Sequence, residues 1–223
     1  MVPTPAFLQL ADGRFPAGGH AHSAGVESAV LDGRIASEAD LEAYLLGRLH
    51  TTGLTDAALA AAVVVCGGGE LLAIDAEAEA RIPVPALRSA SRRLGRQLVR
   101  AADRCWPSAV LLTIVDLLPA GAHQSVSLGV VAVAAGLSAD DVAALAVHHA
   151  VATPAQAAVR LLGLDPYGVA AMTARLGEEA AAVAARAVVA AAGELVDLPA
   201  AAGPVCEIAA AGHAGIDGRL FVT

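Results

Sequence analysis

The sequence predicts an all-α protein: a single-domain helical bundle of about 8–10 helices, Ala-rich, with a flexible C-terminal tail. Three observations predict it. Ala supplies about a quarter of the 223 residues, and Ala has the highest helix propensity of any residue. Capping residues recur ahead of apolar runs with helical spacing. Strand signals are nearly absent. Val110–Leu118 alone has a strand-like look, and with no second strand to pair with it is read as helical or irregular. One domain spans 1–223, with 1–24 as an N-terminal loop segment and 197–223 as a linker and tail.

Each helix follows from its own signals. Ser37 is an N-cap ahead of Leu41, Tyr44, Leu45 and Leu49, which share one helical face. A second helix runs from Asp56 to Cys66, stopped by Gly67, Gly68 and Gly69. Leu71–Arg81 follows, ended by Pro83, and Pro85 opens a long helix through Cys105. Gln124–Ala135 ends at Gly136. Ser138 caps the next helix, whose first turn carries Asp140 and Asp141 at the positive end of the dipole. That helix reaches Leu162, with Pro154 bending or briefly breaking it. Asp165 and Pro166 start another through Leu176, and Glu178–Leu195 is the last long helix.

Composition excludes several chemistries. Lysine is absent, so a P-loop, a Schiff base and a lysine general base are all ruled out. With 14 Arg against 22 acids the net charge is −8, which disfavours nucleic acid as a partner. A mean hydropathy of +0.63 raises the question of a membrane. Val110–Leu118 contains Asp116, and Val126–Leu137 falls well short of the roughly twenty residues a span needs. The first residues carry no basic region followed by an apolar run, so a cytoplasmic location is expected. Cys66, Cys105 and Cys206 are far apart and odd in number, which reads as buried small hydrophobes rather than a disulfide framework or a zinc site.

Two clusters stand out. Arg88, Arg92, Arg93, Arg96, Arg100 and Arg104 lie on one helix, either as a solvated face or as a cationic surface for a carboxylate-rich partner. His20 and His22 are the only metal candidates, and a two-ligand pair is short of the three or four ligands such a site wants. Loop or interface histidines is the competing reading. His148 and His149 are adjacent, so on a helix they diverge and form no i,i+4 metal pair; core or surface positions suit them. No GxSxG occurs and no Cys neighbours a His, so no catalytic residue is assigned and the chain is read as a non-enzyme.

The chain also resembles a known family in four places, in order along its length. Pro204–His213 followed by Arg219, Leu220, Phe221, Val222 and Thr223 resembles the C-terminal signature of the UreF urease accessory proteins. Pro16, Gly18, Gly19, Ser23, Gly25 and Glu27 match the family's paired-Gly and Ser-x-Gly-x-Glu pattern near the N-terminus. Ser91–Leu98 is similar to its polar-x-Gly-Arg helix, and Ala157–Leu161 to its Ala-Ala-Val-basic-Leu run. Two departures are visible. His20 and His22 replace the usual aromatics after the paired Gly, and Gly163–Pro166 stands where Pro-Leu-Gly-Gln is common.

The resemblance implies an all-α, dimeric scaffold or chaperone without enzymatic activity of its own. It implies assembly with UreD (also called UreH) and the GTPase UreG to deliver nickel to apo-urease, nickel being cargo and not a resident cofactor. No nucleic-acid or membrane partner is expected. Arg219, Leu220, Phe221, His213, Glu27, Arg160, Ser23, Gly18 and Gly19 become the partner-binding candidates. The alternative role is regulation of UreG, with Arg160 in the place of a basic residue that stimulates GTP hydrolysis, since an arginine finger accelerates hydrolysis by about 10³–10⁵-fold.

Overall fold

Thr4, which caps the first helix through its hydroxyl, opens the part of the chain that the computed structural model describes: residues 4–19, 22–203 and Glu207. Every long element among them is an α-helix, and no strand is present among them. In chain order these are α1 (Pro5–Ala11), α2 (Val26–Leu31), α3 (Glu38–Arg48), α4 (Leu54–Val65), α5 (Leu71–Ala80), α6 (Pro85–Cys105), α7 (Ala109–Leu117), α8 (Gln124–Ala134), α9 (Ala139–Leu162), α10 (Pro166–Arg175) and α11 (Gly177–Ala191). A π-helical segment, Leu49–Gly53, joins α3 to α4, and a 3₁₀ turn, Leu195–Asp197, follows α11.

The capping residues set the boundaries. Ser37 Oγ accepts from the Asp40 amide at 3.3 Å, and Asp165 accepts from the amides of Tyr167 and Gly168 at 3.1 and 3.0 Å. At α9 the exchange is reciprocal. Ser138 Oγ accepts from the Asp141 amide at 3.1 Å while Asp141 Oδ2 accepts from the Ser138 amide at 3.0 Å, a capping box. Ser138→Ala should cost about 1 kcal/mol of stability, read as a lower urea midpoint at unchanged slope.

Four expectations are corrected. The 1–24 segment read as loop contains α1 and the gap before α2. Its signal was Thr4 followed by Pro5, a cap and a first-turn proline. The last long helix ends at Ala191, not Leu195, because the chain turns at Ala192 and Gly193. The linker from 197 is tied down where it begins. Leu198 is buried, Arg81 donates to the carbonyls of Leu198 (2.9 Å) and Pro199 (3.0 Å), and the Thr55 hydroxyl donates to Ala201 O at 3.3 Å. Residues 204–206, Cys206 among them, and 208–223 lie outside the described residues. Val110–Leu118 resolves as α7. Of the cysteines read as buried, Cys66 is half-buried and Cys105 exposed.

The core is built around α4, which packs on α8, α9 and α11. Ala57, Ala58, Ala60, Ala61, Ala62 and Val63 are all fully buried on it, so α4 has almost no polar face. Small side chains let the neighbouring axes come close. At α8 the approach needs no side chain at all: a Cβ on Gly129 would stand 2.5 Å from Ala60 O and 2.6 Å from Val63 Cβ. Gly95 of α6 plays the same part against α8, where a Cβ would crowd Ala122 O and lie 2.5 Å from Ser127 Oγ.

Among the described residues one helix does have the length and apolarity to cross a membrane. It is α9, with 61% of its most apolar stretch buried inside the fold, and its packing on α4, α11, α2 and α3 is that of a core helix. Pro154 sits buried inside α9. Its ring nitrogen has no hydrogen to give to Ala150 O four residues back. Arg48 fills that role: its Nε donates to Ala150 O at 3.2 Å, and its Nη1 donates to Ala24 O at 3.3 Å.

Candidate functional site

The same guanidinium forms part of the wall of a cavity of about 470 Å³ between the N-terminal segment, α4, α6, α8 and α9. Arg48, Thr52 and Asp56 recur every four residues through the π-helical segment and all reach the cavity. Arg93 comes from α6 on the facing wall, and Ala146, His149, Ala150 and Thr153 give one face of α9. Gly19, His22, Ala24 and Gly25 close one side.

Several of these groups are held away from their ordinary chemistry. Burial pushes the Asp56 carboxyl up to about 6, with the Arg48 charge pulling the other way, and no hydrogen bond to Asp56 exists among the described residues. Burial and the neighbouring His148 push His149 down to about 4, so its ring is neutral near pH 7, and its Nε2 contacts Leu10 O at 2.9 Å. His148 contacts Ala11 O in the same way at 3.2 Å. The two adjacent histidines thus diverge around the end of α1 and dock it onto α9. Arg93 Nη2 and Thr52 Oγ1 are fully shielded and have no hydrogen-bond partner among the described residues.

A second polar cluster borders the cavity through Ser91. Arg92 donates to Asp75 (3.1 Å), Glu79 (2.8 Å) and Gly121 O (2.7 Å). The fully buried His123 places Nε2 at 2.7 Å from Glu79 and Nδ1 at 3.1 Å from Ser91 Oγ, and its amide donates to Asp75 at 2.8 Å. Desolvation lowers the His123 pKa against the pull of Glu79, and hydrogen bonds from Arg92 and then His123 hold the Glu79 carboxyl below its ordinary range. A neutral His123 donating from Nε2–H to Glu79 leaves Nδ1 to accept from Ser91. The order Ser–His–Glu is that of a nucleophile relay. Yet Ser91 Oγ also accepts the Gln124 amide at 3.0 Å, and the ring is sealed from solvent. The set fastens α5, α6 and the start of α8 together.

This cluster revises the arginine stripe. Arg88 pairs with Glu79 at 3.0 Å, Arg92 with Asp75 and Glu79, and Arg96 donates to Ala120 O. Arg93 turns to the cavity. Arg100 and Arg104 remain on the exposed face. Half the stripe is therefore internal wiring, and neither a purely solvated face nor a continuous cationic surface describes it. Periodicity could not show this, because the acids come from α5, a separate helix.

The partner-binding candidates scatter. Gly18 has φ +81° and lies so close to Gln97 that a Cβ would collide with its side chain. Gly19 and His22 reach the cavity wall. Ser23 and Glu27 are buried at the start of α2. Arg160 is exposed in the last turn of α9 and does not line the cavity. His20, His213, Arg219, Leu220 and Phe221 lie outside the described residues. Among the described residues no group of three His, Cys, Asp or Glu is placed to hold a metal ion.

Comparison with known proteins gives a consistent picture. The UreF family model matches residues 35–177. The chain is 43% identical over 223 residues to the urease accessory protein UreF of Mycolicibacterium vanbaalenii, covering 97% of each chain. It is 41% identical over 223 residues to that of Mycobacterium sp. strain JLS and 39% identical over 225 residues to that of Mycobacterium marinum, covering 100% of each chain in both cases.

Proposed function

Because the chain belongs to the UreF family of urease accessory proteins, we propose that it acts in urease maturation as a non-catalytic scaffold. In this reading it forms a homodimer, assembles with UreD/UreH and the GTPase UreG, and supports transfer of nickel into cytoplasmic apo-urease. The observation that carries the reading is the match to accessory proteins along essentially the whole chain. The lack of lysine agrees with it: GTP hydrolysis by a P-loop enzyme has to come from another protein. So does the surface. Leu112 and Val115 of α7 are 63% and 53% exposed, and Leu72 and Val65 are 54% and 51% exposed, apolar area of the kind that protein partners bury.

The C-terminal signature supplies the test. The full chain should retain UreD and UreG in a pull-down. A chain lacking Gly215–Thr223 should lose them while keeping its helical circular dichroism. Undiminished complex formation by the truncated chain removes the role assigned to Arg219, Leu220 and Phe221, and no retention by the full chain removes the scaffold itself.

A further inference from the structure

The cavity wall carries two charges of opposite sign that make no hydrogen bond or ion pair among the described residues. Asp56, on α4, is half-buried in the cavity wall; it takes no hydrogen bond and forms no ion pair among the described residues, and only the nearby charge of Arg48 acts on it. Arg93, on α6, makes no hydrogen bond or ion pair among the described residues, and its Nη2 is wholly shielded from solvent. The two do not pair with each other across the space between them. Burial of a charge without a partner is among the costliest arrangements a fold can hold. Other charged groups of the lining are engaged: the Glu207 carboxylate accepts from the Gly203 amide at 3.3 Å. Arg48 serves the carbonyls of Ala150 and Ala24, Arg81 serves Glu77 and the linker carbonyls, and His149 is docked on Leu10.

We propose that this cavity is a binding site for a small zwitterion of the amino-acid class, its carboxylate seated on Arg93 and its protonated amine on Asp56. One cation and one anion, both uncommitted and not joined, complement a ligand that carries the opposite pair. A simple anion would leave Asp56 unpaired, and a simple amine would leave Arg93 so. At about 470 Å³ the space falls within the roughly 300–1,000 Å³ usual for small-ligand sites. The remaining walls supply hydroxyls from Ser28 and Thr153 and apolar surface from Leu59 and Leu128 for the rest of the molecule. The proposal is independent of the scaffold role and survives or falls without it.

The test is calorimetry on the full chain with glycine, β-alanine, γ-aminobutyrate and 5-aminovalerate as a ruler of charge separation, and with propylamine and propionate as one-ended probes. One member of the series should bind at a single site at least tenfold tighter than either one-ended probe. Asp56→Asn and Arg93→Gln should each weaken it at least tenfold. Asp56→Asn removes a charge whose burial opposes folding, so that variant keeps its structure even where Arg93→Gln does not. Absence of saturable binding across the whole series overturns the proposal. So does binding of propylamine or propionate as tight as the best zwitterion, or unchanged affinity in the folded Asp56→Asn chain.

Discussion

Asp56→Asn should make the protein more stable at pH 7.5 by about 1–3 kcal/mol, and by nothing below pH 4. The sign follows from the direction of the shift. The Asp56 carboxyl moves from 3.8 to about 6 in the folded chain, so the folded state holds a proton that the unfolded state has released. Stability from this group is present at acid pH and is lost as pH rises through about 6. The cause is burial, which the charge of Arg48 only partly offsets. His149 runs the other way. Its pKa falls from 6.5 to about 4, so its contribution is intact above 6.5 and is lost as pH falls toward 4. Between about pH 6 and 4 the two slopes oppose each other in the wild type. Urea titrations at a series of pH values should therefore show Asp56→Asn losing stability on acidification and His149→Gln gaining it. Parallel pH profiles for the two variants would refute the assignment. A position where nature keeps a charge that weakens the fold is a mark of a working site.

Gly129→Ala should lower stability by about 1–3 kcal/mol, with Gly95→Ala close behind, although alanine ordinarily strengthens a helix. The added methyl at Gly129 meets a backbone carbonyl, Ala60 O, and the Cβ of Val63, neither of which can swing aside. At Gly95 it meets Ala122 O and the buried Ser127 hydroxyl. Gly47 of α3 is the control. It has nothing within 4 Å of its Cβ position, so Gly47→Ala should stabilise by about 0.5–1 kcal/mol. Thermal melts of the three variants check the contrast. A stabilised Gly129→Ala chain would mean that α4 and α8 do not approach as closely as described.

The outcome at each helix shows what a sequence can reveal. Ser37, Pro85, Ser138 and Asp165 with Pro166 mark helix starts by local chemistry, satisfying orphan amides or presetting φ, and the structure places helices behind all four. Thr4 with Pro5 carries the same signal and was obscured by the glycines and prolines that follow it. The cavity was not legible: Arg48, Thr52 and Asp56 share a face only because the Leu49–Gly53 segment joins α3 to α4 without a break where the sequence suggests two separate helices, and Arg93 across from them belongs to a helix whose other arginines face α5 or solvent. What no periodicity reveals is the partner on another helix. Asp75, Glu79 and His123 lie 48 or fewer positions apart in sequence, yet only the docking of α5 against α6 and α8 turns them into one network.

Arg48 gives this architecture an unusual kind of economy. One side chain repairs the hydrogen-bond ladder that Pro154 interrupts in α9 and also holds the backbone just ahead of α2. It also supplies the charge beside Asp56. The hydrogen bonding of the core helix at Pro154, the seating of the N-terminal segment and the polarity of the cavity thereby depend on the placement of one side chain. Drawing Arg48 aside would release the backbone ahead of α2 and leave the Ala150 carbonyl without its donor at one stroke.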